Sequence, residues 1–363
     1  MTNHASFSGR VRVAIIGGTG YGGAELIRLL HVHPNVELVR VTSIDAVGEP
    51  LEAVHRNLGP TGLRFEDTPP EQAMRDVDVV FLALPHKVTA ALAPAIQQTE
   101  ARVIDLSGDF RLRDAETYKR FYGQVHPHPE LLGSFVYGLP ELHRESIRSA
   151  RRIASPGCFA TTIALGVLPV VRAGWLRGPI RTVAATGSSG SGAYASEGTH
   201  HLVRVNNLKI YKVLDHQHTP EIEQTLGDAL ALAGHEGVVQ LLFVPVSAPL
   251  SRGILANSFV DVPAEVDDAA VADVFARCYA DSPLVRVLGG GKRQAEVVAV
   301  KGSMWADLSW TLGPIGVGGT RHLVVTSALD NLVKGGAGQA VQSMNVMLGL
   351  RDGTGIDAVP LWP

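Results

Sequence analysis

Val11-Arg12-Val13-Ala14-Ile15-Ile16-Gly17-Gly18-Thr19-Gly20-Tyr21-Gly22-Gly23-Ala24-Glu25-Leu26-Ile27-Arg28-Leu29-Leu30 is the stretch on which the fold turns. Its first six residues read as a buried strand, and Ala24 to Leu30 has the composition and spacing of a helix. Between them glycines recur at 17, 20 and 23, and in a second register at 18, 20 and 23. The second register satisfies the Gly-x-Gly-x-x-Gly spacing of dinucleotide-binding turns. In either register, small residues let the backbone approach a pyrophosphate at the helix N-terminus. A tight turn with no ligand is the competing reading; the strand–loop–helix context favours the nucleotide.

Working outward, Val36 to Thr42 reads as a second strand and Val77 to Leu84, before Pro85-His86, as a third. Arg102 to Leu106 reads as a fourth, before Ser107-Gly108-Asp109. Strands alternating with helices predict an α/β, doubly wound parallel sheet of Rossmann type. After Cys158 the character changes. Strand-like stretches appear at 180–186, 238–246 and 254–262, with late strands near 296–300 and 322–326. Helical patterns at 221–232 and 267–279 interleave with them. That predicts a second, α+β substrate and dimerisation domain with a mixed or antiparallel sheet and helices on one face. Residues 331–342 read as the beginning of a helix whose glycines permit close approach of a neighbouring backbone or ligand. The expected organisation is a Rossmann domain over 1–157, a catalytic and oligomerisation domain over 158–327, and a C-terminal helix within 328–363 returning to the Rossmann domain.

Composition narrows the function classes. The chain has 363 residues, 45% of them hydrophobic and 18% charged, which suits an ordinary globular protein with a large core. A formal net charge of −3 gives no support for a nucleic-acid surface. No apolar run reaches the length of a membrane span, and residues 1–9 lack the apolar core of a signal sequence. Two cysteines far apart suggest no disulfide framework, so a reducing cytoplasm is expected.

One of those cysteines carries the chemistry. Cys158 follows Ser155-Pro156-Gly157 and opens the apolar run Ile163 to Pro169, which reads as a turn starting a helix. At a helix's first turn the backbone N–H groups and the positive dipole end favour a thiolate. A buried structural thiol is the alternative, and Cys278, inside a helical pattern, is read that way. His216 and His218 flank Gln217 downstream. They could be metal ligands, but no acidic or cysteine cluster completes a site, so no metal is expected. As general acid/base, one imidazole suits thiolate activation near neutral pH. Arg252, beside Gly253 at a strand entrance, could hold a carboxylate or phosphate, or be a solvated loop arginine. The second strand's tip leaves NAD and NADP both open: Asp45 would favour a free ribose hydroxyl, whereas Ser43 accommodates a 2′-phosphate.

Taken together, these motifs resemble the N-acyl-γ-glutamyl-phosphate reductase family of the aspartate-semialdehyde dehydrogenase-like superfamily. The resemblance spans essentially the whole chain. It is carried by the 17–23 glycine loop, Ala83-Leu84-Pro85-His86, Asp105-Leu106-Ser107-Gly108-Asp109-Phe110-Arg111-Leu112, Val136-Tyr137-Gly138-Leu139-Pro140-Glu141-Leu142 and Pro156-Gly157-Cys158. Further along it continues in His216-x-His218-Thr219-Pro220-Glu221-Ile222, Ser251-Arg252-Gly253-Ile254 and Asp330-Asn331-Leu332-Val333-Lys334-Gly335. The family reading implies NADPH, Cys158 as nucleophile, His216 as acid/base with His218 as second choice, and a homodimer or homotetramer. Cofactor contacts are expected at Gly17, Thr19, Gly20, Tyr21, Gly22, Ser43, Pro85, Ser188, Gly190 and Asn331, with Ser189 beside them. Substrate contacts are expected at Arg111, His200, Tyr211, Glu221 and Arg252.

The implied reaction is reduction of an amine-blocked acidic amino-acid acyl phosphate to its semialdehyde, with release of phosphate, through a Cys158 thioester. Two branches share it. One acts on N-acetyl-γ-glutamyl phosphate, for arginine synthesis; the other acts on α-aminoadipyl or glutamyl phosphate held on a small acidic amino-group carrier protein, for lysine synthesis. Gly157-Cys158-Phe159-Ala160-Thr161 and Glu197-Gly198-Thr199-His200-His201, followed by Arg204 and Tyr211-Lys212, resemble the carrier branch. Thr219-Pro220-Glu221-Ile222 has the arginine-type ending, and Asp215 and Gln217 depart from both. The reading leans to the carrier-linked substrate. Aldehyde oxidation without phosphate and a non-catalytic nucleotide-sensing protein on the same fold are the alternatives.

Overall fold

The structure, a computed structural model, describes residues 9–316 and 318–362. The reading of residues 1–9 therefore falls, Gly9 apart, outside the described residues. The chain divides into two units, Met1–Pro156 with Gly336–Ala358, and Gly157–Gly335 with Val359–Pro363.

The first unit is built on a parallel sheet of β1 (Val11–Ile16), β2 (Val36–Thr42), β3 (Phe65–Glu66), β4 (Val79–Leu82), β5 (Arg102–Asp105), β6 (Val136–Tyr137) and β7 (Arg152–Ala154). Their spatial order is β3-β2-β1-β4-β5-β7-β6. Every pairing is parallel. Strands buried on both faces explain the runs Val79–Leu82 and Ile15–Ile16, which lack polar alternation. The chain runs outward from β1 to β3, then returns to the other side of β1 at β4. That reversal opens a crevice at the carboxyl ends of β1 and β4, where ligands of open α/β sheets bind. The helix Gly338–Met347 belongs to this unit. It is held by Gln339 Nε2 donating to Gly138 O (2.9 Å) and by Arg102 donating to Met347 O (2.7 Å).

The second unit carries a mixed sheet of β8 (Ile180–Thr186), β9 (Lys209–Ile210), β10 (Leu241–Ser247), β11 (Ile254–Pro263), β12 (Val285–Gly289), β13 (Ala306–Ile315) and β14 (Thr320–Leu329). Its order is β12-β13-β14-β11-β8-β10-β9. On β8 the residues alternate strictly, with Ile180, Thr182, Ala184 and Thr186 buried while Arg181 and Val183 face out. The helix Cys158–Arg172 lies on the buried face, where Gly166 comes close enough for a Cβ to sit 3.1 Å from Ser327 Oγ. Ser327 Oγ in turn donates to Thr162 O (2.9 Å).

Several sequence expectations need adjusting. Residues 296–300 form a turn, with Val300 N and Lys301 N both donating to Val297 O, and no strand. The strands lie instead at β12 and β13. The chain leaves the second unit after Gly335, later than the expected 327/328, because β14 runs unbroken to Leu329. The helix expected from 331 begins at Gly338, after a wider turn over Val333–Ala337.

Candidate active site

In the first unit the glycines of the loop divide into two kinds. Gly17 has φ +91°, and a Cβ there would lie 2.7 Å from Ala83 O. At Gly23 a Cβ would lie 2.6 Å from the carbonyls of Gly17 and Gly18, and at Gly18 it would overlap Val41. These three are glycine because protein fills the space. Gly20 meets nothing within 4 Å, and Gly22 only Leu106 at 3.9 Å. Gly20 is the N-cap of the helix Tyr21–His31, and no side chain caps it. An open cradle before uncapped helix N–H groups fits the diphosphate of a dinucleotide.

The neighbouring strand tips complete this site. Ser43, buried at the end of β2, reaches Thr19 Oγ1 (3.4 Å) and accepts from Asp45 N (3.1 Å). Asp45 itself is exposed, as are Tyr21 and Pro85. Beneath β5, Asp105 accepts from Ser107 N and Ser107 Oγ, both at 2.8 Å. Burial pushes its pKa up to about 7, against the pull of those hydrogen bonds. Asp109 accepts from Lys87 N, Ala90 N and Tyr118 Oη.

Arg111, expected as a substrate contact, is engaged with backbone. It is buried, donating through Nε to Ser155 O (2.7 Å) and through a terminal nitrogen to Leu106 O (2.8 Å). Its donors hold the loop after β5 and the strand exit after β7.

In the second unit Cys158 is the first residue of the helix Cys158–Arg172, with Gly157 as N-cap in extended conformation (φ −71°, ψ 150°). No side chain caps this helix either. Gly157 N donates to Glu221 Oε1 (2.8 Å). A Cβ on Gly157 would overlap the His218 ring, and one on Gly335 would lie 2.9 Å from Cys158 Cβ. The cysteine therefore sits between two glycines that admit no side chain. This is the close approach expected of the 335–338 glycines. Neither cysteine forms a disulfide.

The two histidines stand side by side, their rings 4.7 Å apart. His216 is enclosed by Phe159 (5.4 Å), Phe243 (5.4 Å) and Tyr211 (5.7 Å). Burial first, then His218 and Lys212, push its pKa down to about 2, against a smaller upward pull from Glu221. Its Nδ1 accepts from His218 N (3.1 Å), so the neutral ring carries its proton on Nε2. Burial first, and then Cys158, raise the pKa of Tyr211, against a smaller pull from Arg204.

A second cluster gathers around Asn331. Its Oδ1 accepts from Gly253 N (2.7 Å) and its Nδ2 donates to Ser189 Oγ (3.0 Å). Arg252 lies 3.7 Å from Asp330, whose Oδ2 also accepts from Gly302 N. Ser188 and Gly190 lie on the same turn as Ser189. Both ends of the Asn331 amide hold backbone and loop together, so it shapes this wall rather than presenting an open polar edge. His200, expected as a substrate contact, is exposed within the turns over 196–204. Phe243 and Asp330 were not singled out by sequence reasoning. An alternating strand gives no sign of which aromatic meets a histidine, and Asp330 reads as an ordinary turn acid. Among the described residues no group of three or more His, Cys, Asp or Glu side chains is placed to hold a metal, and no helix is long and apolar enough to cross a membrane.

A parallel sheet with an open glycine cradle, together with a separate mixed-sheet unit, defines a two-domain dinucleotide-binding protein. The chain belongs to the semialdehyde dehydrogenase family: residues 12–150 match its NAD binding domain and residues 158–331 its dimerisation domain. The N-acetyl-gamma-glutamyl-phosphate reductase of Symbiobacterium thermophilum is 42% identical over 357 residues, covering 97% of this chain and 99% of that one. The LysW-L-2-aminoadipate 6-phosphate reductase of Deinococcus radiodurans is 39% identical over 356 residues, covering 97% and 98%. Among solved structures, aspartate semialdehyde dehydrogenase II of Vibrio cholerae complexed with ASA superposes with a TM-score of 0.70 at 17% identity, covering 94% of this chain and 99% of that one. That likeness shows the fold. The chain is an NAD(P)-dependent oxidoreductase acting on acyl phosphates.

Proposed function

We propose that this protein reduces the acyl phosphate of an amine-blocked acidic amino acid to its semialdehyde, with Cys158 as nucleophile. The observation that carries the reading is the cysteine at the start of an uncapped helix, fixed between Gly157 and Gly335 beside two imidazoles. The thiolate attacks the carbonyl carbon, the carbon–oxygen bond to phosphate breaks, and a thioester forms. His218, whose ring lies against Gly157, takes the thiol proton, which leaves with the phosphate. The first N–H groups of the Cys158 helix and the Nε2–H of His216 donate to the carbonyl oxygen as it gains negative charge. A neutral imidazole with its proton fixed on one nitrogen suits that task.

NADPH, when bound, would supply a hydride to the thioester carbon; the carbon–sulfur bond then breaks, freeing the semialdehyde and returning Cys158 as a thiolate. Gly20, Gly22 and Thr19 would hold its diphosphate, and the buried Ser43, rather than the exposed Asp45, would meet the 2′-phosphate. Incubating the protein with NADP+, the semialdehyde and phosphate tests the reaction in reverse. NADPH formation without phosphate would replace this reading with simple aldehyde oxidation.

For the blocking group, the reading favours an acidic carrier protein. Tyr211 packs edge-on against His216 (5.7 Å), while its neighbours Lys209, Ile210 and Lys212 are exposed, as are Leu202 and Leu208. Such a surface beside the nucleophile suits a macromolecular substrate. Arg204 is excluded from it: its guanidinium donates to Ser247 Oγ and to Ala248 O. N-acetyl and carrier-linked substrates assayed side by side decide between the branches. The outward face of the second unit's sheet exposes Val183 and Phe259 on adjacent strands, which supports self-association there into a homo-oligomer.

A further inference from the structure

The carboxylate of Glu221 is fully buried and points at the backbone of the nucleophile's turn. We infer that Glu221 is a positioning residue, setting Cys158 through Gly157, and not a ligand for the substrate. This rests on the reading of Cys158 as nucleophile.

The geometry carries it in three ways. First, with Glu221 at 0% exposure, the side chain presents no surface to a substrate. Second, its Oε1 accepts the N–H of Gly157 at 2.8 Å, so the carboxyl group holds the backbone of the nucleophile's turn directly. Third, Glu221 and His218 lie one helical turn apart in His218–Leu232 and grip the same glycine. His218 fills the space where a Cβ would stand, and Glu221 holds the N–H. Gly157 O meanwhile accepts from Thr161 N (2.9 Å) and Thr161 Oγ1 (3.3 Å). Gly157, the residue preceding Cys158, is thus fixed at its N–H, its carbonyl oxygen and its α-carbon. The helix carrying His218 cannot shift without moving the nucleophile, and the reverse holds too.

The test compares Glu221→Gln with Glu221→Ala. Glutamine keeps an oxygen that accepts the Gly157 N–H, so kcat should stay within about threefold of wild type; alanine should lower kcat about 100-fold, the scale of a misplaced reacting group. In both variants KM for the acyl phosphate should change by less than about threefold, because uniform binding is untouched. A KM raised tenfold or more in Glu221→Gln, with kcat intact, would make Glu221 a substrate ligand and overturn the inference. So would equal kcat in the alanine variant. Should alanine prevent folding, as judged by lost NADPH binding, the glutamine variant alone still decides through its KM. A Cys158 acyl adduct in wild type, trapped with acyl phosphate in the absence of NADPH and found by mass spectrometry, checks the nucleophile reading independently.

Discussion

The glycine loop after β1 and the turn before Cys158 are the same local device used in two ways. Each ends a strand, passes through glycine in extended conformation, and starts a helix with no capping side chain. They differ in what faces the missing side chain. In front of Gly20 there is open space; around Gly157 and Gly335 there is protein. A helix N-terminus with open space before it can take up a ligand's diphosphate, whereas one whose glycines are packed against protein holds its own groups in place for a reacting atom. The first arrangement binds and the second pre-organises, and the backbone alone does not distinguish them.

The largest expected effect comes from removing the fixed group. Cys158→Ser should lower reductase activity by roughly three orders of magnitude or more, since a serine alkoxide is far harder to form near neutral pH. NADPH affinity should stay within a few-fold, as the loop belongs to the other unit. Activity above about a tenth of wild type would end the thioester reading.

Next come the glycines themselves. Gly157→Ala should drive the His218 ring aside and cut kcat about 100-fold while NADPH still binds. Gly20→Val should raise the NADPH dissociation constant about tenfold or more with the fold intact, because its side chain enters the ligand's space. Fluorescence titration beside steady-state kinetics separates the two. If both variants lost affinity, or both lost kcat, the contrast between open and filled turns would fail.

Acid–base behaviour should also divide the units. Asp105, with its pKa raised to about 7, keeps a proton on folding that the unfolded chain releases above about pH 4. Its contribution to stability is present at low pH and lost as pH rises towards 7. His216, with its pKa lowered to about 2, refuses a proton that the unfolded chain accepts below about pH 6.5. Its contribution is present above that pH and lost as pH falls. Asp105→Asn should therefore flatten the decline in melting temperature between pH 5 and pH 8, and His216→Gln should flatten the decline below pH 6.5. Each should change the Tm difference across its window by about 3 °C or more. Calorimetric scans showing wild-type slopes in both variants would remove these groups from the account.

The smallest effect lies at the surface. Reversing the charges of Lys209 and Lys212 should raise KM for a carrier-linked substrate about threefold to tenfold at low salt, and less at high salt. A free N-acetyl substrate should respond less. Equal responses would favour the arginine-type branch.

Much of the architecture could be read directly. β1 and β2 stand at the expected residues, because apolar runs bounded by Gly17 and by Asn35 leave little freedom. The helix at Cys158 follows from Pro156-Gly157. What failed to be legible depends on distant partners. Glu296-Val297-Val298-Ala299-Val300 has strand composition, yet its backbone closes on itself. How deeply Arg111 and Glu221 are buried does not show in their sequence neighbours. Their burial is decided by Ser155 and Gly157, which approach from elsewhere in the chain.

The pairing of Gly335 with Cys158 has a consequence for how such a sequence can drift. Neither Gly157 nor Gly335 carries a functional group, yet any side chain at either position collides with the nucleophile or its histidine. In a library of all single substitutions these two positions should be as intolerant as the cysteine between them, so the reactive residue is guarded in sequence space by two neighbours selected for being empty.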